Sequence, residues 1–223
     1  MIEIKNLSFA YSDGDFRLFI PELQIAQGES IAITGPSGSG KTTLLNLISG
    51  VLQAQGGTVR MGEQIISEMS ENGRREHRIS HMGMVFQNFE LLEYLNVSDN
   101  ILLPYRLEES LRLNEKVRQR AKEISSIFGM EQKLSAYPKE LSQGQKQRVA
   151  ICRSLVTGAK LIIADEPTGN LDPKNTALVA DTLLDFVKRE NASLITVTHD
   201  LDFAKRFDRE IDFMKLLQAG TNV

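Results

Sequence analysis

Apolar and polar residues alternate over Ile2-Glu3-Ile4-Lys5-Asn6-Leu7, which predicts a strand with one face buried. The turn cluster Ser12-Asp13-Gly14-Asp15 separates it from a second predicted strand between Arg17 and Ile25, where Pro21 marks an edge or a bend. Gln27-Gly28-Glu29 turns the chain into a short apolar strand, Ser30-Ile31-Ala32-Ile33-Thr34. A glycine-rich loop follows, then Leu44, Leu45, Leu47 and Ile48 at helical spacing, stopped by Gly50. Gly56-Gly57 opens a hairpin-like stretch around Val59 and Met61, and Met84 to Gln87 reads as a buried strand. From about Asn88 to Leu155 the pattern is mostly helical, with Asn114 as N-cap of a charged helix that Gly129 ends. Pro138 breaks the chain, and Ser142 is placed to cap the next helix. Leu161-Ile162-Ile163-Ala164 is a bare apolar run, as in a strand covered on both faces. Pro173 opens a predicted helix to about Glu190, Leu194 to Thr198 is another buried strand, and Leu201 to Phe207 a short helix.

Strands alternating with helices predict an α/β fold with a mostly parallel core sheet. The strand-rich start predicts a small antiparallel β layer, and the helical middle an inserted subdomain. One domain over residues 1–223 is expected, its core from 1–87 and 156–223 and the helical subdomain from about 88–155.

Composition acts by exclusion. Hydrophobic residues at 41% and charged residues at 25% are ordinary for a soluble globular chain and exclude collagen, a coiled-coil rod and a disordered tail. No apolar run has the length of a membrane span. The opening Met1-Ile2-Glu3-Ile4-Lys5 has no signal-peptide pattern. Cys152 is the only cysteine, so an internal disulfide is impossible and a reducing compartment is expected. A formal net charge of −3 disfavours a nucleic-acid partner.

The candidate chemistry starts at Gly35-Pro36-Ser37-Gly38-Ser39-Gly40-Lys41-Thr42, which fits G-x-x-x-x-G-K-[ST] between a predicted strand and a predicted helix. The glycines let backbone N–H groups curl round phosphate oxygens, and the helix N-terminus adds positive potential. Lys41 then reaches the β- and γ-phosphates, and the Thr42 hydroxyl is a ligand for Mg²⁺. Asp165 and Glu166 follow the apolar run from Leu161, at the end of the sheet where open α/β folds bind ligands. One carboxylate is suited to hold Mg²⁺, its neighbour to orient or deprotonate an attacking water. Together these residues predict a nucleoside triphosphatase.

Leu141-Ser142-Gln143-Gly144-Gln145, followed by Lys146-Gln147-Arg148-Val149-Ala150, resembles the signature motif of ABC-type ATPases. The family has glycine where Gln143 stands, while Ser142 and Gly144 are kept. Tyr11 lies where that family stacks an aromatic ring on adenine, Gln87 where it has the Q-loop glutamine, and His199 where it has the switch histidine. Gly169-Asn170-Leu171-Asp172 resembles the D-loop. The resemblance implies a P-loop NTPase of ABC type that holds ATP along Gly35 to Thr42, with Thr43, Tyr11 and Asp172 as further contacts. It implies Mg²⁺ on Thr42, Gln87 and Asp165, Glu166 as general base, and Lys41, His199 and Gln87 as catalytic partners. It also implies a head-to-tail homodimer, in which Ser142 and Gly144 complete the site of the other copy.

Hydrolysis needs an output, and any transport pathway must lie in another polypeptide. In the family the stretch after Gln87 receives a cytoplasmic helix of a membrane subunit, which makes Phe89, Leu91, Leu92 and Tyr94 candidate contacts. Asp165-Glu166-Pro167-Thr168 with the D-loop, and Asn96-Val97-Ser98-Asp99-Asn100, resemble most the subgroup of lipoprotein-release, macrolide-export and cell-division ATPases. The implied location is the cytoplasmic face of the inner membrane, held there by the partner. The alternatives are a regulatory ATPase that passes a mechanical signal without transport and, less in keeping with the charge, a soluble ATPase of DNA repair or translation. His77, His81 and Cys152 read as structural. The charges around Glu71 to Arg78 and Lys116 to Glu123 read as solvated faces.

Overall fold

The computed structural model describes residues 1–14, 16–167 and 173–218. Strands β1 (Ile2–Ala10), β2 (Arg17–Ile25), β4 (Gly56–Met61) and β5 (Gln64–Ile65) form an antiparallel sheet in the order β2-β1-β4-β5. Strands β3 (Ser30–Thr34), β6 (Met82–Val85), β7 (Leu161–Asp165), β8 (Ser193–Thr198) and β9 (Arg209–Asp212) form a second sheet in the order β6-β7-β8-β3-β9, and every pairing in it is parallel. Helix α1 (Lys41–Ile48) follows β3, and α2 (Glu71–His81) leads straight into β6. Between β6 and β7 lie α3 (Val97–Ile101), α4 (Pro104–Leu107), α5 (Glu115–Ile127) and α6 (Gln143–Leu155). Helices α7 (Pro173–Arg189), α8 (Leu201–Ala204) and α9 (Phe213–Gln218) complete the described chain.

The alternation read in β1 is real and changes phase once. Ile2 and Ile4 are buried, then Leu7 and Phe9, with the register against β4 shifting between Lys5 and Ser8. Asn6 takes up the extra residue at φ 49°, as a bulge does. Its carbonyl would stand 2.2 Å from any Cβ on Gly57, so only glycine fits opposite. Pro21 lies in β2, at the edge of its sheet, where a missing N–H breaks no ladder.

One buried cluster fills the space between the sheets and α1 and includes Ile4, Ile20, Ile33, Leu44 and Phe213. A second joins the other face of the parallel sheet to α3, α5, α6 and α7 through Val97, Ile124, Val149, Leu183 and Phe186. Ser142 and Asn114 cap α6 and α5 as expected: Gln145 N–H donates to Ser142 Oγ at 3.3 Å, and Val117 N–H to Asn114 Oδ1 at 3.1 Å. Ser142 N–H donates in return to Gln145 Oε1 at 2.9 Å, closing a capping box.

Several expectations are corrected. The strand expected to end at Gln87 ends at Val85, because the Phe89 N–H to Phe86 carbonyl bond (3.0 Å) turns the chain at Gln87 and Asn88. Residues 71–81 form helix α2, with Ser70 as N-cap, rather than only a charged surface. Arg74 is buried there and donates to the carbonyls of Gly50 (3.1 Å) and Met69 (2.8 Å) and to Gln53 (2.9 Å). Arg120 leaves the expected solvated face to bind Glu190 at 3.0 Å and the Leu155 and Val156 carbonyls. The helix from Leu201 stops at Ala204, and the chain beyond it supplies β9, the fifth strand of the parallel sheet. Cys152 is buried, and desolvation raises its thiol far above the ordinary range, in keeping with a packing role.

Candidate active site

Strands β3, β7 and β8 are neighbours, and their C-terminal ends carry the candidate residues. The phosphate loop runs from Gly35 to Gly40, and Gly40 is the N-cap of α1 at φ 107°. The φ of 107° favours glycine at Gly40, and a Cβ there would also push on the Phe16 ring tip at 2.4 Å. Lys41 is 7% exposed, and its ammonium donates to the carbonyls of Gly35 and Pro36, each at 2.8 Å. An ammonium has three protons, so one remains to reach into the loop. Ser39 Oγ is buried with no hydrogen-bond partner among the described residues. A buried hydroxyl costs free energy when unpaired, and phosphate oxygens would satisfy it.

Asp165 ends β7, and Thr42 hydrogen-bonds its carboxylate. Burial raises the Asp165 carboxyl above its ordinary range, and the neighbouring Glu166 adds to this. The Thr42 hydrogen bond and the Lys41 charge pull the other way. Glu166 stands at φ 49°, a left-handed conformation rare for a side chain with a Cβ, and its N–H donates to the Val197 carbonyl at 3.0 Å. That turn points the carboxylate at His199, whose Nδ1 lies 2.8 Å from Glu166 Oε1. An ionised carboxylate only accepts, so Nδ1 carries the proton. Glu166 is mostly shielded while His199 is 67% exposed, so the pair has one anchored and one open member.

Tyr11 is exposed at the end of β1. Its hydroxyl pairs with Thr43 Oγ1 at 3.1 Å, and its ring meets Phe9 edge-on at 4.9 Å between centroids. Phe16 tilts against Tyr11 at 5.8 Å, an aromatic at the loop that no motif pointed to. Gln87 is exposed in the turn after β6 and lines a cleft of about 530 Å³ with Asn88, Glu93, Gln143 and Lys146. Gln87 and the signature segment thus face one cleft, although Gln87 comes 55 residues earlier than Ser142. Ser142 and Gly144 lie in the first turn of α6, and no hydrogen bond among the described residues ties them to the phosphate loop. Asp172 and the rest of the expected D-loop lie outside the described residues.

A phosphate loop on a helix N-terminus, with two carboxylates and a histidine across the strand ends, defines a P-loop nucleoside triphosphatase. The ABC transporter family profile matches residues 20–169. The chain therefore belongs to the ABC transporter family and is an ATPase of that type. It is 36% identical over 213 residues to the lipoprotein-releasing system ATP-binding protein LolD of Hydrogenovibrio crunogenus, covering 94% of this chain and 92% of that protein. It is 37% identical over 212 residues, at 94% and 92% coverage, to the ABC transporter ATP-binding protein YbbA of Escherichia coli K12. Among solved structures it resembles the dimeric bacterial ABC transporter cassette MJ0796, with a TM-score of 0.86 and 32% identity over 95% of this chain and 94% of that one. MJ0796 is also known in a dimeric post-hydrolysis state bound to ADP and Pi.

Proposed function

We propose that the chain is the ATP-hydrolysing subunit of a membrane machine that exports a substrate or extracts a lipoprotein. Two copies work head-to-tail. The observation that carries this is the joining of Lys41, Thr42, Asp165, Glu166 and His199 at adjoining strand ends, in a chain related to LolD. Lys41 and the loop N–H groups hold the triphosphate. Glu166 takes a proton from a water that attacks the γ-phosphorus, the bond to the ADP oxygen breaks, and phosphate leaves. His199 steadies Glu166 and the γ-phosphate. Ser142 and Gly144 close the site of the opposite copy with the N-terminus of α6. Tyr11 offers its ring to the base.

Mg²⁺ suits this donor set, because the Thr42 hydroxyl and the Asp165 carboxylate are hard oxygen donors already in contact. Gln87 is the third candidate ligand. Bound there, the ion would offset charge on the triphosphate.

The membrane subunit docks in a groove of about 300 Å³ between α2, β6, α4 and the end of α6, lined by Ile79, Met84, Phe86, Leu103, Pro104 and Leu107. Among the contacts expected from sequence, Tyr94 stays available at 75% exposure and Leu92 is half-buried. Phe89 is buried and Leu91 packs on the core, so these two act from below. No helix among the described residues is long and apolar enough to cross a membrane. The location proposed is the cytoplasmic face of the inner membrane, through that subunit. The test is co-purification with the membrane subunit encoded nearby, followed by ATP-dependent release of a lipoprotein from proteoliposomes. Release with wild type but not with Glu166→Gln supports the reading, and ATP turnover without release contradicts its transport half.

A further inference from the structure

The segment after β6 separates two clefts. Phe86 lines the docking groove on one side, Gln87, Asn88 and Glu93 line the signature-side cleft on the other, and Glu90 borders both. Phe89 and Glu90, at the centre of this partition, are consecutive non-glycine residues at φ 62° and 49°. Left-handed backbone is costly at each and persists only where surroundings impose it. Backbone bonds from Phe89 N–H to the Phe86 carbonyl and from Glu90 N–H to the Asn88 carbonyl hold the turn from within, and Arg153, in the last turn of α6, holds it from outside. Arg153 is 8% exposed, and its two terminal nitrogens donate to the carbonyls of Glu90 and Phe89, each at 2.5 Å. Burial pushes its pKa down to about 10, still well above neutrality, so a full charge is spent on two backbone carbonyls. At the other end of α6, Lys146 pairs with Glu93 at 3.6 Å. Helix α6, which Ser142 caps, thus contacts the same partition near both ends.

We infer that Arg153 is a positioning residue that holds the 86–93 partition, and with it Gln87, in register with the nucleotide site. A change in the docking groove then reaches Gln87 through Glu90 and Phe89. This rests on the ATPase reading above and adds to it a fixed mechanical link. The planar guanidinium fits two carbonyls at once, whereas an ammonium keeps the charge but not the fork.

The test is Arg153→Lys in the full chain. Amide hydrogen exchange over 86–95 is expected to rise about ten-fold or more, with β3 and α1 unchanged. Calorimetric ATP affinity is expected to stay within about two-fold while kcat falls roughly 2- to 30-fold. A purely structural staple would instead speed exchange throughout α6 and the core and leave kcat alone. That pattern, or unchanged exchange over 86–95, overturns the inference. Should the variant not fold, Glu90→Gly keeps Arg153 and both carbonyls. Slow exchange over 86–95 in that protein supports the clamp, and fast exchange overturns it. Wild-type protein that bound no Mg-ATP would sink the ATPase reading alone, since the exchange result is read without nucleotide.

Discussion

Single residues divide by how far their partners lie along the chain. Lys41 was legible because its loop is contiguous and its contacts are five and six residues away. Removing it as Lys41→Ala deletes charged hydrogen bonds worth about 1.5–3 kcal/mol each. ATP affinity measured by calorimetry is therefore expected to fall roughly 10- to 150-fold. Arg74, Arg120 and Arg153 were opaque for the opposite reason: their acceptors lie up to 70 residues away, so each looks like one more surface charge until the fold closes. His77 shows the same concealment in a titrating group. Burial, then the neighbouring His81, lowers its pKa from 6.5 to about 4. The folded state thus prefers it neutral, so its contribution is complete above about pH 6.5 and is lost as pH falls towards 4. In urea titrations across that window, His77→Gln is expected to flatten the fall in stability seen with wild type.

Elements were legible where periodicity was strong and their caps local. The apolar runs of β3, β7 and β8 and the caps of α5 and α6 came through, because burial on both faces and an Asn or Ser before a helix leave plain marks. Helix α2 did not: it is charged along most of its length, with a glycine inside. Nor did β9, four residues with only Ile211 apolar, which belongs to the sheet through its backbone pairing with β3. The contact of β6 with α6 shows what element packing demands. A Cβ on Gly83 would stand 2.0 Å from the Ser154 carbonyl oxygen. Backbone cannot retreat as a side chain does, so Gly83→Ala is expected to cost about 1–3 kcal/mol or more in unfolding free energy from denaturant titration. Loss of the α6 capping box in Ser142→Ala should cost about 1 kcal/mol by the same measurement.

At the scale of the whole molecule, the candidate groups stand on two separate supports. The loop, carboxylates and His199 sit on adjoining strand ends, while Ser142 opens a helix outside the sheet. The proposed second copy would bring its own Ser142 to this open loop, and a glutamine at Glu166 should keep nucleotide without consuming it. Light scattering of Glu166→Gln is therefore expected to read twice the monomer mass with saturating Mg-ATP and the monomer mass without it. Monomer under both conditions would contradict the shared site. The strand order carries a last implication, for synthesis. The strand that bears the phosphate loop, at residues 30–34, is flanked by strands at residues 193–198 and 209–212. A ribosome must therefore release residues up to 193 and beyond before that strand gains either parallel neighbour, so the sheet beneath the phosphate loop closes only late in synthesis.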